Sequence, residues 1–121
     1  MRDLRILVVD DEPLIADGLS RYLKGKGYDT AVTTSPVKAL SMIEGETFDI
    51  VITDLRMEPV SGINIIRRLN DSQFSGKIIV ISAYNRDYEQ ELKELKVDAM
   101  IEKPFEMDTL LKAVQGSDGT S

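Results

Sequence analysis

The chain has 121 residues, of which 42% are hydrophobic and 30% charged, a size and balance typical of one globular domain. Its formal net charge of -6 argues against a basic face that binds a phosphate backbone, so we expect no direct nucleic-acid binding. The absence of cysteine and histidine excludes disulfides, thiolate metal sites and histidine-based catalysis, and it favours a reducing compartment.

The first apolar run, Ile6 to Val9, is short and is followed by the acidic turn 10–12. A run of this length is too short for a signal peptide core or a bilayer span, so we expect a cytoplasmic protein without membrane contact. Pro13 suits the first turn of a helix after the turn. Gly25 and Gly27 then mark the end of that helix, because a phosphate-binding loop would precede a helix and follow a strand.

The second and third strands differ in character. Residues 28–34 alternate apolar and polar side chains, which predicts a strand with one face less covered. Ser35 and Pro36 form an N-cap and first turn of a helix that stops at Gly45. The run 48–53 is apolar on both faces and delivers a carboxylate, Asp54, at its end.

The remaining chain continues the alternation of helices and strands. Apolar residues at helical spacing predict helices around 65–69, 88–95 and 107–114. The continuous apolar run 78–81 predicts a buried strand, and 97–101 a shorter one. Five strand-helix units of this kind predict a parallel sheet covered by helices on both faces.

The strands also differ in how much cover they require. Those beginning at Ile6, Ile50 and Ile78 are apolar on both faces and belong in the middle of the sheet. Those near Thr30 and Ala99 are shorter or more mixed and belong at its edges. This sorting predicts the strand order 2-1-3-4-5, the flavodoxin-like doubly wound α/β fold.

Several chemically capable side chains follow the predicted strands. Asp10 and Asp11 follow the first strand, Asp54 ends the third, Ser82 ends the fourth and Lys103 follows the fifth. Ligands of such sheets bind at the carboxyl ends of the strands, so we expect these side chains to converge. Each of them alone has an ordinary explanation as a cap, a turn residue or a solvated charge, but the convergence of all of them at one crevice favours a functional site.

A pocket of this composition suits a hard cation and a phosphoryl group. Clustered carboxylates repel one another unless a cation joins them, and an all-oxygen pocket favours Mg²⁺, which also binds phosphate oxygens. Lys103 and Ser82 are then candidates to contact a phosphoryl oxygen. No residue resembles a general base, so Asp54 is the best candidate for a nucleophile that becomes phosphorylated.

The quoted residues resemble the receiver domain of two-component response regulators in both spacing and order. The resemblance covers residues 4–115. It is carried by Val8-Val9-Asp10-Asp11-Glu12-Pro13, Asp54-Leu55-Arg56-Met57 followed by Gly62, Ser82-Ala83, and Lys103-Pro104-Phe105.

The resemblance implies a set of roles for these residues. Asp54 accepts the phosphoryl group from a sensor histidine kinase or a phosphotransfer protein, and Ser82 and Lys103 contact that group. Mg²⁺ is the implied cofactor. Its implied ligands are Asp11, Asp54 and the backbone carbonyl of Arg56, with Asp10 acting through water. A cis peptide is implied between Lys103 and Pro104.

The chain departs from the family pattern at two places near the site. Glu58 stands where proline is usual, with Pro59 next, so the loop carries an extra negative charge. Met100 stands where an aromatic switch residue is usual. The candidate switch residues are therefore Ser82, Tyr84 and Met100, with Tyr84 as an alternative mobile aromatic or as mere cover for the crevice.

The resulting hypothesis is a phosphorylation-dependent signalling switch rather than an enzyme in the ordinary sense. Its output surface is expected on the fourth helix, fifth strand and fifth helix, where it controls an attached output domain or a partner; a homodimer through this surface is an open alternative. We expect a receiver domain over residues 1–115 and a flexible tail or linker over residues 116–121.

Three other functions are alternatives to the switch. A haloacid-dehalogenase-type phosphatase requires an aspartate where Arg56 stands. A flavodoxin-like cofactor carrier requires a Ser/Thr/Gly-rich loop after the first strand, where this chain is acidic. A degenerate receiver that acts only as a protein-interaction module is the main alternative, and Mg²⁺ binding discriminates it from the switch.

Overall fold

The computed structural model describes residues 4–83 and 88–116. Five strands and five helices alternate along this part of the chain. The strands are β1 (Arg5–Val9), β2 (Asp29–Thr33), β3 (Ile50–Asp54), β4 (Lys77–Ala83) and β5 (Ala99–Lys103). The helices are α1 (Pro13–Gly25), α2 (Pro36–Gly45), α3 (Gly62–Asp71), α4 (Glu89–Lys93) and α5 (Met107–Gly116).

The strands form one parallel sheet in the order β2-β1-β3-β4-β5. This is the predicted order, so the flavodoxin-like doubly wound fold is confirmed. The three central strands are β1, β3 and β4, as their continuous apolar runs indicated, and β2 and β5 lie at the edges. Because all strands run the same way, their carboxyl ends share one edge of the sheet.

Two apolar cores lie on opposite faces of the sheet. Successive strand residues point to opposite faces, so Leu7 and Val9 of β1 join one core while Ile6 and Val8 join the other. The first core is closed by α2 and α3, with Leu92 of α4 packed against it. The second core is closed by α1 and α5. Both faces of the central strands are therefore dry, and polar groups are concentrated at the strand ends.

The helix ends follow the sequence signals. Pro13 is the first residue of α1, and Gly27 just beyond that helix has a φ of 97°, which a residue with a side chain rarely adopts. The Ser35 hydroxyl accepts a hydrogen bond from the Lys38 amide at 3.1 Å, which confirms the predicted N-cap of α2. These signals fix where α1 and α2 start and so how the preceding turns reach the sheet edge.

The fifth strand lies two residues further along the chain than predicted. It pairs with β4 from Ala99, opposite Ile79, to Lys103, opposite Ala83, rather than spanning 97–101. The apolar residues indicated the strand but not its bounds, because pairing with the long strand β4 carries it beyond them. Lys103 is consequently the last residue of β5 and not a turn residue.

The fourth helix is shorter than the predicted segment 88–95. It has five residues, Glu89–Lys93, and none of them is fully buried. Leu92 and the flanking Leu95 are half-buried against the first core. Such limited packing on an otherwise charged segment supports only about one helical turn.

Two aspartates hold the amino edge of the sheet, opposite to the edge where the helices begin. Asp49, just before β3, accepts a hydrogen bond from the Arg5 amide of β1 at 2.8 Å. Asp98, just before β5, accepts one from the Ile78 amide of β4 at 2.7 Å. Each carboxylate therefore pairs its own strand with a neighbouring strand at its starting end.

The last helix is fastened to β4 by one ammonium group. Lys77 Nζ donates hydrogen bonds to the carbonyl oxygens of Ala113 at 2.9 Å and Val114 at 2.6 Å. These carbonyls belong to the last turn of α5, where backbone acceptors have no partner within the helix and a positive charge is favourable. The contact fixes the end of α5 against the sheet.

Candidate functional site

Three charged side chains meet at the carboxyl edge of the sheet. Asp10 follows β1 and is 0% exposed, Asp54 ends β3 and is 5% exposed, and Lys103 ends β5. Burial of this kind is rare for carboxylates unless a cation pairs with them. The parallel topology explains the meeting, because it places the ends of β1, β3 and β5 on one edge.

Lys103 supplies the pairing charge. Its Nζ donates to Asp10 Oδ2 at 3.0 Å, to Asp54 Oδ2 at 3.2 Å and to Glu12 Oε1 at 3.2 Å. The Lys103 side chain is only 15% exposed, so its contacts with the buried carboxylates of Asp10 and Asp54 are poorly screened by water, whereas the Glu12 side chain is 60% exposed. One ammonium thus partly neutralises three carboxylates.

Backbone amides hold the second oxygen of each buried carboxylate. The Glu12 amide donates to Asp10 Oδ1 at 3.0 Å, two residues on, which closes a tight turn. The Leu55 amide donates to Asp54 Oδ1 at 2.8 Å. Both carboxylates therefore have a fixed orientation with one oxygen toward the backbone and one toward Lys103.

The start of α3 packs directly on the backbone of Asp54. The Gly62 amide donates to the carbonyl of Leu55 at 2.8 Å. A Cβ placed on Gly62 would overlap the carbonyl oxygen of Asp54, so no side chain fits there. The glycine eight residues after Asp54 is therefore required for the close approach of helix and strand end.

The charges in the site shift one another's pKa values. Burial raises the pKa of Asp54 above its ordinary value of 3.8 and the Asp10 charge adds to this, while Lys103 opposes both. Burial also raises the pKa of Asp10, against the opposing effects of the Glu12 amide and Lys103. Burial lowers the pKa of Lys103, but the bonds and charges of Asp10, Asp54 and Glu12 outweigh it and hold that pKa above 10.5. Lys103 thus stays protonated between two carboxylates whose charged forms are disfavoured by burial.

The carboxylates form a group that fits a hard cation. Oxygen atoms of Asp10, Glu12 and Asp54 lie within 4.8 Å of one another. The donors are all oxygens and the chain has no histidine or cysteine, a set that suits Mg²⁺ rather than a softer metal.

The other predicted site residues lie around this centre. Asp11 is exposed and lies outside the group of converging oxygens found among the described residues. Arg56 is exposed in the loop after β3. Ser82 is buried on β4 one residue beyond Ile81, the partner of Asp54, and its hydroxyl donates to the Ala83 carbonyl at 2.8 Å.

The two remaining switch candidates are Met100 and Tyr84. Met100 is 58% exposed on β5 and lines a cavity between α4 and β5 that Ser82 and Leu92 also border. Tyr84 lies outside the described residues. The cis peptide between Lys103 and Pro104 is present, and a second one joins Glu58 and Pro59.

Glu12 is the site residue that the sequence did not single out. It belongs to the run of three acids after β1, and the spacing alone does not indicate which of them face the crevice. The turn closed by Asp10 decides this, because it directs the carboxylate of Glu12 to Lys103 while Asp11 stays exposed. The presence of a third acid next to Asp10 and Asp11 was the available signal.

Comparison with known proteins decides the family. The family model of the response regulator receiver domain matches residues 6–115 of the chain. The chain belongs to this receiver family. The predicted resemblance is confirmed, and receiver domains are signalling switches that bind Mg²⁺ in an acidic pocket. In this chain Asp10, Glu12 and Asp54 form the acidic group at the sheet edge.

The receiver has curated relatives of two lengths. Sporulation initiation phosphotransferase F of Bacillus subtilis is 31% identical over 116 residues, which are 95% of this chain and 94% of that protein. Transcriptional regulatory protein DltR of Streptococcus agalactiae is 30% identical over 113 residues, 93% of this chain and 50% of that protein. DNA-binding response regulator MtrA of Mycolicibacterium smegmatis is 34% identical over 113 residues, 92% and 49% of the two chains. The receiver therefore spans about half the length of these two regulators.

Solved structures agree with the assignment. Response regulator protein TrrA of Thermotoga maritima, in complex with Mg²⁺ and BeF, is 30% identical with a TM-score of 0.83 and coverage of 93% of this receiver and 96% of that chain. A CheY-like receiver domain protein of Methanospirillum hungatei has a TM-score of 0.89 at 24% identity, covering 94% and 92%, and shows the same fold. In the described part of the receiver, no helix has the length and apolarity needed to cross a bilayer.

Proposed function

We propose that this receiver is a switch that is phosphorylated on Asp54. The observation that carries the proposal is the approach of Lys103 Nζ to Asp54 Oδ2, 3.2 Å, inside a buried acidic pocket. The Asp54 carboxylate lies at the carboxyl edge of the sheet with a cation beside it. Position and charge neutralisation are the main requirements of phosphoryl transfer.

The proposed step is a direct transfer. One carboxylate oxygen of Asp54 forms the new bond to phosphorus, and the bond from phosphorus to the leaving atom of the donor breaks, so the leaving group departs with that electron pair. The Leu55 amide orients the carboxylate through Asp54 Oδ1. Lys103 offsets the charge that the phosphoryl oxygens bring, and Ser82 donates its hydroxyl to one of those oxygens in place of the Ala83 carbonyl.

Magnesium is the proposed cofactor. Asp54, Asp11 and the carbonyl of Arg56 are the proposed ligands, with Asp10 supporting them through water. When bound, the ion supplies charge neutralisation for the carboxylates and the phosphoryl oxygens. The carboxylate oxygens of Asp10 and Asp54 lie close together at the carboxyl edge of the sheet, which supports this proposal.

The proposed output is a change of the surface formed by α4, β5 and α5. Ser82 and Met100 both line the cavity beside α4. Movement of the Ser82 hydroxyl toward a phosphoryl group would therefore change the lining of this cavity. The short helix α4 has little buried area to resist the change. Tyr84 remains a proposed alternative to Met100 as the residue that responds.

The proposed partners follow from the family. The phosphoryl donor is a sensor histidine kinase or a phosphotransfer protein, and the receiver acts on an output domain or partner without binding DNA itself. The regulators DltR and MtrA, about twice as long as the chain, support a linked output domain. Three further points stay predictions: the receiver comprises residues 1–115 and is followed by a tail or linker, its location is cytoplasmic, and it forms a homodimer through α4, β5 and α5.

Intact-mass spectrometry tests the phosphorylation. Incubation of the native protein with acetyl phosphate and Mg²⁺ is expected to add one phosphoryl group, and Asp54→Asn is expected to remove this gain. Omission of Mg²⁺ is the matched control for the cofactor. A native, folded protein that gains no mass would favour the degenerate receiver that acts only through protein contacts.

A further inference from the structure

The ammonium group of Lys103 has no donor to spare for a phosphoryl oxygen. A lysine ammonium has three N–H donors. In this structure they face three acceptors, the carboxylates of Asp10, Glu12 and Asp54, at distances of 3.0 to 3.2 Å. Before transfer, while Asp54 is still a carboxylate, a phosphoryl oxygen that approaches Lys103 must therefore compete with these acceptors.

Glu12 is the carboxylate that can leave. Asp10 is fully buried and is also held by the Glu12 amide, and Asp54 has to stay in place as the attacking oxygen until the transfer is complete. The Glu12 side chain is 60% exposed and makes no capping bond to its own helix α1. Rotation into water thus costs Glu12 one screened ion pair, whereas Asp10 would lose its buried counter-charge.

We propose that the Glu12 carboxylate is a built-in competitor of the phosphoryl group for Lys103. In the unphosphorylated protein it occupies a donor that the incoming phosphoryl oxygen needs, and the incoming group displaces it to solvent. Glu12 is thus a positioning residue that acts through Lys103 and sets how readily the pocket accepts phosphoryl groups. This inference rests on the proposed phosphorylation of Asp54.

The displacement follows the charges. During transfer the Asp54 oxygen bonds to phosphorus, the bond to the leaving group breaks, and the pocket gains the negative charge of the phosphoryl oxygens. The Glu12 oxygen lies 3.2 Å from the Lys103 nitrogen that must stabilise this charge. Two anions cannot share that donor without repulsion, so the exposed one is released.

Phosphorylation kinetics of Glu12→Gln test the proposal. With saturating Mg²⁺, the rate constant for phosphorylation by acetyl phosphate, measured by intact mass, is expected to rise about two- to fivefold, the factor that corresponds to loss of an exposed ion pair. Beryllofluoride, which mimics the phosphoryl group without transfer chemistry, should bind more tightly by a similar factor. The Mg²⁺ affinity, titrated separately, should not change.

Two matched variants separate contact from long-range charge. Glu12→Asp keeps the charge but withdraws the carboxylate from Lys103, so it should resemble Glu12→Gln. Glu106→Gln removes one exposed charge from the loop after β5 and should behave as the wild type. Circular dichroism of each variant checks the fold.

Each other outcome contradicts the proposal. Unchanged rates and beryllofluoride affinity in both Glu12 variants would show that Glu12 does not compete. Equal acceleration by Glu106→Gln, or wild-type behaviour of Glu12→Asp, would assign the effect to net charge. Parallel losses of Mg²⁺ affinity and rate would make Glu12 a metal ligand. A wild type that takes up no phosphoryl group defeats the proposed function itself, which is a distinct result.

Discussion

The ammonium nitrogen of Lys103 lies 3.2 Å from Oδ2 of Asp54, although 49 positions separate the two residues. Each is the last residue of its strand, and β4 runs between those strands in the sheet. The ion pair therefore spans the end of β4, the strand that carries Ser82. We therefore expect a change of charge at either residue to affect the ends of β3, β4 and β5.

The stability gained by Asp54→Asn should depend on pH. Because burial and Asp10 raise the pKa of Asp54 in the folded protein, its ionised form is penalised by folding. Well below the ordinary value of 3.8 the carboxyl is protonated in both states, so the variant and the wild type should be equally stable. As pH rises through the elevated pKa, the variant should gain roughly 1 kcal/mol in free energy of unfolding.

Urea denaturation at a series of pH values without Mg²⁺ measures this difference. Asp17→Asn, on the exposed surface of α1, is the matched control and should show no comparable gain. A gain that is largest at acidic pH would contradict the assigned direction of the Asp54 pKa.

Lys103→Met should destabilise the protein without Mg²⁺, and more strongly at pH 8 than at pH 5. Removal of the cation leaves Asp10 and Asp54 buried without their counter-charge, a cost of about 1 to 3 kcal/mol. At lower pH the two carboxyls, whose pKa values rise further in the variant, take up protons and relieve part of the cost.

The measurement is the free energy of unfolding at the two pH values, with the exposed Lys93→Met as control. In the wild type, the raised pKa of Lys103 means that its own contribution is complete below 10.5 and is lost only as pH rises through that elevated pKa. A pH-independent loss in Lys103→Met would argue against repulsion between the carboxylates.

Gly62→Ala should cost about 3 kcal/mol in free energy of unfolding, because its methyl group would overlap the carbonyl of Asp54. Gly25→Ala, at the end of α1, has no atom within 4 Å of its added methyl group and should be neutral or slightly stabilising. Thermal unfolding of both variants checks the contrast. Equal effects would mean that the backbone at Gly62 yields.

Lys77→Met should reduce stability by about 1 kcal/mol, because the last carbonyls of α5 lose a charged donor. Lys112→Met changes an exposed lysine of the same helix and serves as control. Hydrogen exchange of the amides of α5 should accelerate only in Lys77→Met. Identical exchange in both variants would show that the contact does not hold the helix.

Much of the fold was predictable because continuous apolar runs indicate strands that are buried on both faces. Residues such as Ile6, Ile50 and Ile78 begin strands without a polar face, and only the centre of a covered sheet accommodates them. The bounds of β5 were not predictable, because they depend on pairing with β4 rather than on the apolar residues of 97–101. The length of α4 likewise depends on how little of it is packed.

The convergence of Asp10, Asp54 and Lys103 was predictable from topology alone, since parallel strands end on one edge. The choice among three consecutive acids was not, because a turn conformation selects Glu12 to face Lys103 and leaves Asp11 exposed. The roles of Ser82, Arg56 and Met100 depend on a ligand and therefore remain proposals. The pocket could thus be located from the sequence, whereas the contact of Glu12 with Lys103, on which the proposed competition rests, required the side-chain geometry.

The two ends of the sheet use carboxylates in opposite ways. Asp49 and Asp98 each bind a backbone amide of a neighbouring strand, which pins the alignment of β1 with β3 and of β4 with β5. At the other end the carboxylates of Asp10, Glu12 and Asp54 share the ammonium group of Lys103. The alignment of these strands is thus held at the amino edge. We therefore expect a change of charge at the carboxyl edge to move loops and helices without shifting one strand along another.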